Sequence, residues 1–383
     1  MTMRVHPAIA SLRPYEAGKP LDELERELGI SGAIKLASNE NAWGPAPSVL
    51  EAIQEAMTTT HIYPDAGAYR LREAVSAHFD VAPNRLVFGN GSNELLSLIV
   101  KTFTSDGDTV LSSAGSFIAY RIVAAAHGRR FVESPLGSDS GYDLNALLNA
   151  VDATTRVIFI ANPNNPTGTY LGHAEIADFV AAVYTKTEGN EPPFIVLDEA
   201  YTEYVDHHDP VNSPALVAQY DHVIATRTFS KAYALASLRL GYAVCSEEAA
   251  SFLNRVREPF NINSFAQAGA IAALADGAHL ETSVRDCLAE RTRLFDGLSA
   301  LGFTPVPSQA NFVFTRMSAA MAANLDPTDG GKRAAQNLYD ALLKSGIVVR
   351  PMGAAGFTDA LRITVGLPTE NDRLLAGLAQ IIA

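Results

Sequence analysis

HVIATRTFSKAYALASLRLGYAVC, residues 222–245, decides the fold. Two strand-like runs, HVIATRTFS (222–230) and LGYAVC (240–245), flank a loop that opens on Lys231 and carries Arg239 eight residues later. The same pattern recurs upstream in RLVFGN (85–90), TVLSS (109–113), RVIFIANP (156–163) and FIVLDEAY (194–201). Several of these are continuous Val/Ile/Leu/Phe runs without alternation, which marks strands covered on both faces of a mainly parallel sheet. Helical stretches such as NELLSLIVKTF (93–103) and HAEIADFVAAVYT (173–185) lie between them. The alternation predicts a doubly wound α/β unit over residues 46–270.

The remainder reads differently. AAQNLYDALLKSG (334–346), IVVRPMG, LRITVG (361–366) and a final helical stretch predict a smaller α+β unit made of 271–383. Residues 1–45 are rich in turn formers and are expected to pack with it near the site as an N-terminal arm. MAANLDPTDGGK (321–332) reads as a loop and TEGNEPP (187–193) as a surface connection.

Bulk properties narrow the function. At 383 residues the chain is too long for one simple core, and 48% hydrophobic content is that of a globular protein. The net charge of −13 with no basic stripe argues against nucleic acid as a partner. No run of 18 apolar residues occurs and the N-terminus lacks a secretory pattern, so a cytoplasmic protein with no membrane partner is expected. Cys245 and Cys287 stand in no ligand spacing, and His207–His208 sit among acids in a polar loop; no metal is expected. In so acidic a chain, an anionic ligand must be gripped by individual arginines.

Four segments carry chemistry. A lysine between two buried strands points to the carboxyl edge of the sheet, where open α/β folds bind ligands. In LDEAY (197–201), two acids end an apolar strand; a buried Asp198 calls for a cationic partner. IANPNNPTGT (160–169) has more side-chain amides than a turn needs. FGNGSNELL (88–96) is a Gly-rich strand-to-helix turn whose backbone N–H groups form an anion site. Glu94 stands where the dinucleotide fingerprint has its last glycine, and no Walker sequence is present, so a dinucleotide or ATP is disfavoured.

In this order, with KLASNENAWGP (35–45) and YPDAGAYRLREAV (63–75), the chain resembles the fold-type I, class I/II aminotransferases that use pyridoxal 5′-phosphate (PLP). Within that family it is most similar to the branch that acts on histidinol phosphate. The resemblance implies that Lys231 carries the cofactor and moves the proton, that Asp198 keeps the pyridine nitrogen protonated, and that Tyr201 and Asn165 bond its phenolic oxygen. It also implies that Gly91, Ser92, Asn93, Thr228, Ser230 and Arg239 surround the phosphate, and that Phe117 stacks on the ring in place of a commoner tyrosine. Tyr63 would reach the partner subunit's cofactor in a homodimer. Arg362 would grip the substrate α-carboxylate, Arg350 the substrate phosphate, and Tyr15 and Asn39 would line the site. The implied reaction moves an amino group between histidinol phosphate and 2-oxoglutarate. An aromatic amino-acid aminotransferase and a threonine-phosphate decarboxylase would share the apparatus. Ala234 and Ser237 stand where glycines are frequent.

Overall fold

The computed structural model of the chain describes residues 3, 5, 7–10, 12 and 18–383. Seven strands form the central sheet in the order Leu86–Gly89, Gly241–Val244, Val223–Thr228, Phe194–Asp198, Thr155–Ala161, Thr109–Ser113 and Arg130–Ser134. Five consecutive strands run parallel, and Gly241–Val244 is antiparallel to both of its neighbours. The chain is thus α/β with a mainly parallel sheet.

The continuous apolar runs have a simple cause. Val157 and Phe159 pack into one helical layer, with Leu95, Ile99, Tyr120 and Leu253, while Ile158 and Ile160 pack into the opposite layer, with Phe179, Val180 and Leu216. A strand covered on both faces has no polar position to alternate with. The edge strand Arg130–Ser134 escapes the sequence pattern because it is only partly covered and carries Arg130 and Glu133 outward, as edge strands do.

The second sheet has four antiparallel strands, Arg350–Pro351, Ala360–Thr364, Phe312–Arg316 and Thr304–Pro305 in that order. Phe312, Leu361 and Ile363 pack there with Leu294, Leu298, Leu338, Leu342, Leu374 and Leu378 from the helices Gly277–Ala300, Ala334–Lys344 and Pro368–Ile382. Ile34–Lys35 pairs in parallel with Ile347–Val348, and Thr364 donates to the Leu36 carbonyl at 2.9 Å. These bonds carry Ser38 and Asn39 to the mouth of the central sheet.

One local expectation needs correction. Residues Ala319–Leu325 are helical, capped by Ser318, which accepts from the Met321 N–H; the loop starts only after them. The turn-rich N-terminal part contains a helix at Leu21–Leu28, which buries Leu24. Among the described residues no helix is long and apolar enough to cross a membrane.

Candidate active site

The strands Thr155–Ala161, Phe194–Asp198 and Val223–Thr228 end side by side, and their C-terminal residues Ala161, Asp198 and Thr228 floor a pocket of about 170 Å³. Its walls bring together Asn39, Ser92, Asn93, Phe117, Asn165, Tyr201, Ser230, Lys231, Arg239 and Arg362, which lie far apart in the chain.

Lys231 Nζ donates to the Ser38 carbonyl at 3.1 Å and lies 5.8 Å from the centre of the Tyr201 ring. Burial, reinforced by the Arg362 charge, pushes its amine down to about 7. A substantial fraction is therefore neutral near pH 7, with a lone pair for a carbonyl carbon.

Asp198 is buried, and its oxygens accept from Tyr120 at 2.9 Å and Thr226 at 3.3 Å. Burial pushes its carboxyl up to about 6, against these two bonds. Among the described residues no basic side chain forms an ion pair with it. A carboxylate held only by neutral donors suits a cationic nitrogen placed above it.

Tyr201 is fixed from two sides. Its hydroxyl accepts from Asn39 Nδ2 at 2.8 Å and Asn165 Nδ2 at 3.3 Å, and its ring meets Phe312 edge-on. Asn165 Oδ1 accepts from Arg362 at 2.6 Å, and Arg362 also donates to the Ala37 carbonyl at 2.8 Å. The Arg362 guanidinium lies over the Phe312 ring at 5.4 Å, so it enters the site already oriented.

At the other end, helix Ser92–Phe103 begins beside Arg239, which donates to Ser230 Oγ at 3.3 Å. Gly91 has φ +77°, and a Cβ there would stand 2.4 Å from the Arg239 guanidinium. Gly241 is as tightly required, because a Cβ would stand 2.6 Å from the Ser92 nitrogen. Helix N–H groups, hydroxyls and one guanidinium make a cup for a phosphate. Lysine, isolated carboxylate and anion cup together fit PLP.

Two expected residues lie elsewhere. Tyr63 is 78% exposed and stacks on Phe260 at 4.7 Å, outside this chain's pocket. Arg350 is outside the lining too, paired with Arg362 across adjacent antiparallel strands, which puts both side chains on one face. Tyr15 lies outside the described residues.

Tyr120, Thr226 and Ser38 were not foreseen. Thr226 had a signal, since it shares a strand face with Thr228 at a spacing of two. Tyr120 follows Phe117 by three residues and meets its ring edge-on at 5.7 Å. Glu199, the second acid of LDEAY, points away and holds Arg227 at 2.9 Å and Ser213 at 2.8 Å. Ala234 has φ +59°, which explains why glycine is frequent at that place. Among the described residues no cluster of metal-ligating side chains occurs.

The family model for aminotransferase class I and II matches residues 31–378. The chain is 47% identical over 378 residues to a histidinol-phosphate aminotransferase of Anaeromyxobacter sp. (strain Fw109-5), covering 99% of each chain. It is 42% identical to histidinol-phosphate aminotransferase 1 of Mannheimia succiniciproducens, covering 98% of this chain and 96% of that one. The crystal structure of histidinol-phosphate aminotransferase from Sinorhizobium meliloti in complex with pyridoxal-5′-phosphate superposes with a TM-score of 0.87 at 31% identity, covering 100% of this chain and 98% of that one. Matched over almost its whole length, with a lysine, a buried carboxylate and an anion cup at one sheet edge, the chain belongs to the class I and II aminotransferases.

Proposed function

We propose that the protein transfers an amino group between histidinol phosphate and 2-oxoglutarate, in histidine biosynthesis, with PLP on Lys231. The carrying observation is the meeting of Lys231, Asp198 and Arg239 in one pocket, in a chain 47% identical to a histidinol-phosphate aminotransferase. When bound, PLP supplies a carbonyl that condenses with amines and a protonated ring that takes up the electron pair released from Cα.

The protein's own groups divide the remaining work. Lys231 Nζ would hold the cofactor through its aldehyde carbon, and its amine, once freed by the donor amine, would carry the proton between the donor Cα and C4′. Asp198, oriented by Tyr120 and Thr226, keeps the ring nitrogen protonated. Tyr201, with Asn165 and Asn39 on its hydroxyl, bonds the phenolic oxygen. Gly91, Ser92, Asn93, Thr228, Ser230 and Arg239 form the phosphate end, and Phe117 covers a ring face. Arg362 pairs with the donor carboxylate. Arg350, opposite Arg362 on the same sheet face, takes the substrate phosphate, and Asn39 lines the site.

The protein acts as a cytoplasmic homodimer in this reading. Its support is the exposed apolar side chains Leu50, Met57, Ile62, Tyr63, Tyr69 and Phe260, of which Tyr63 and Phe260 stack on each other. Tyr63 then reaches the partner's phosphate cup. The test is a half-reaction screen, following the cofactor absorbance with histidinol phosphate, glutamate, phenylalanine, tyrosine and threonine phosphate. Histidinol phosphate and glutamate should convert the cofactor fastest. Faster turnover of phenylalanine, or CO₂ from threonine phosphate, would overturn the assignment.

A further inference from the structure

Glu94 poses a physical problem. It is an acid in the first turn of helix Ser92–Phe103, beside the backbone that forms the anion cup. A carboxylate so placed repels an incoming phosphate unless its charge is drawn elsewhere.

The structure shows where it goes. Glu94 Oε2 turns back and accepts from the Asn90 N–H, which fixes the Asn90–Gly91 turn. The same oxygen accepts from Asn261 Nδ2 at 2.7 Å. Asn261 Oδ1 in turn accepts from Arg257, whose guanidinium also donates to the Ala66 carbonyl at 2.9 Å. The Arg257 charge thus reaches Glu94 through one amide. Asn261 Nδ2 further meets the Phe88 carbonyl at 3.3 Å, and Asn263 Nδ2 donates to the Leu238 carbonyl at 2.9 Å, next to Arg239. Residues 257–263 therefore brace both halves of the cup from behind. The turn has no slack, because Gly91 already sits against the Arg239 guanidinium.

We propose that Asn261 is a positioning residue for the cofactor phosphate: it holds Glu94 against the Asn90 N–H and links its charge to Arg257. The inference rests on the reading that this cup takes the PLP phosphate. It requires that Asn261 act on the phosphate end alone.

The test compares PLP with pyridoxal, which lacks the phosphate, in titrations of the full-length cofactor-free chain followed by absorbance. In Asn261→Ala, PLP affinity should fall about tenfold while pyridoxal affinity stays unchanged. Asn261→Asp, nearly isosteric, keeps the packing but sets a second carboxylate against Glu94, so its PLP-selective loss should be larger. Adding Glu94→Gln to Asn261→Ala should recover most of the loss, because the competing charge is gone. Equal losses for both ligands, or no loss in Asn261→Asp, would overturn the inference. A wild-type protein that binds PLP no tighter than pyridoxal would instead overturn the cup reading on which it rests.

Discussion

Tyr120 donates its phenolic hydrogen to Asp198 Oδ2 across 2.9 Å, and both groups are buried. The tyrosine is clamped by Phe159, stacked at 4.5 Å, and by Phe117, edge-on at 5.7 Å. The bond therefore has one geometry, and with Thr226 on the other oxygen it fixes the carboxylate at the pocket floor.

Tyr120→Phe keeps the packing and removes only this bond. Losing a donor that favours the carboxylate raises the Asp198 pKa further, weakening its hold on a ring proton. We expect kcat to fall about tenfold with little change in KM, and PLP to dissociate faster. Unaltered kcat and PLP release would show that Thr226 suffices.

Lys231 makes the stability of the cofactor-free protein depend on pH. Its amine titrates near 7 when folded, against 10.5 when unfolded. Between these values the unfolded chain holds more protons, so the unfolding free energy should climb with pH from about 7 to about 10.5. Lys231→Met should remove that climb and abolish covalent PLP binding, as urea titrations and borohydride trapping would reveal.

Asp198 acts in the opposite direction. Its folded value of about 6 exceeds the ordinary 3.8, so the folded cofactor-free chain holds the extra proton between them. Stability should fall as pH rises from about 3.8 to about 6, and Asp198→Asn should flatten that fall. The same variant should lose about a hundredfold or more in kcat, since an amide cannot keep the ring nitrogen protonated.

Arg350 and Arg362 should separate by substrate. Arg350→Gln should lower kcat/KM for histidinol phosphate about a hundredfold and for phenylalanine only slightly. Arg362→Lys, which loses the fork held by Asn165 and Ala37, should impair every α-amino-acid donor, glutamate included. Equal losses with both substrates in Arg350→Gln would place the phosphate elsewhere.

Ala234 holds a φ of +59°, three residues after Lys231. Ala234→Gly should relieve about 1 kcal/mol of backbone strain and raise the melting temperature. A lower melting temperature would mean that the alanine methyl contributes more by packing than its backbone loses.

Much of this protein was legible one segment at a time. Six of the seven strands of the central sheet, the lysine, LDEAY and the glycine turn follow from local causes: burial on both faces erases alternation, and a tight anion turn admits only glycine. What bonds to these residues was not legible. Tyr120 and Asp198 are 78 residues apart, Lys231 and the Ser38 carbonyl 193, and Arg362 and Asn165 197. Asp198 is singled out by its motif as the acid of the pocket, but that Glu199 faces away to hold Arg227 was not legible. Residue type and spacing along a strand specify which faces exist. Only packing the sheets and their helices together decides what each face meets, because those contacts form between segments with no local signal of their partner.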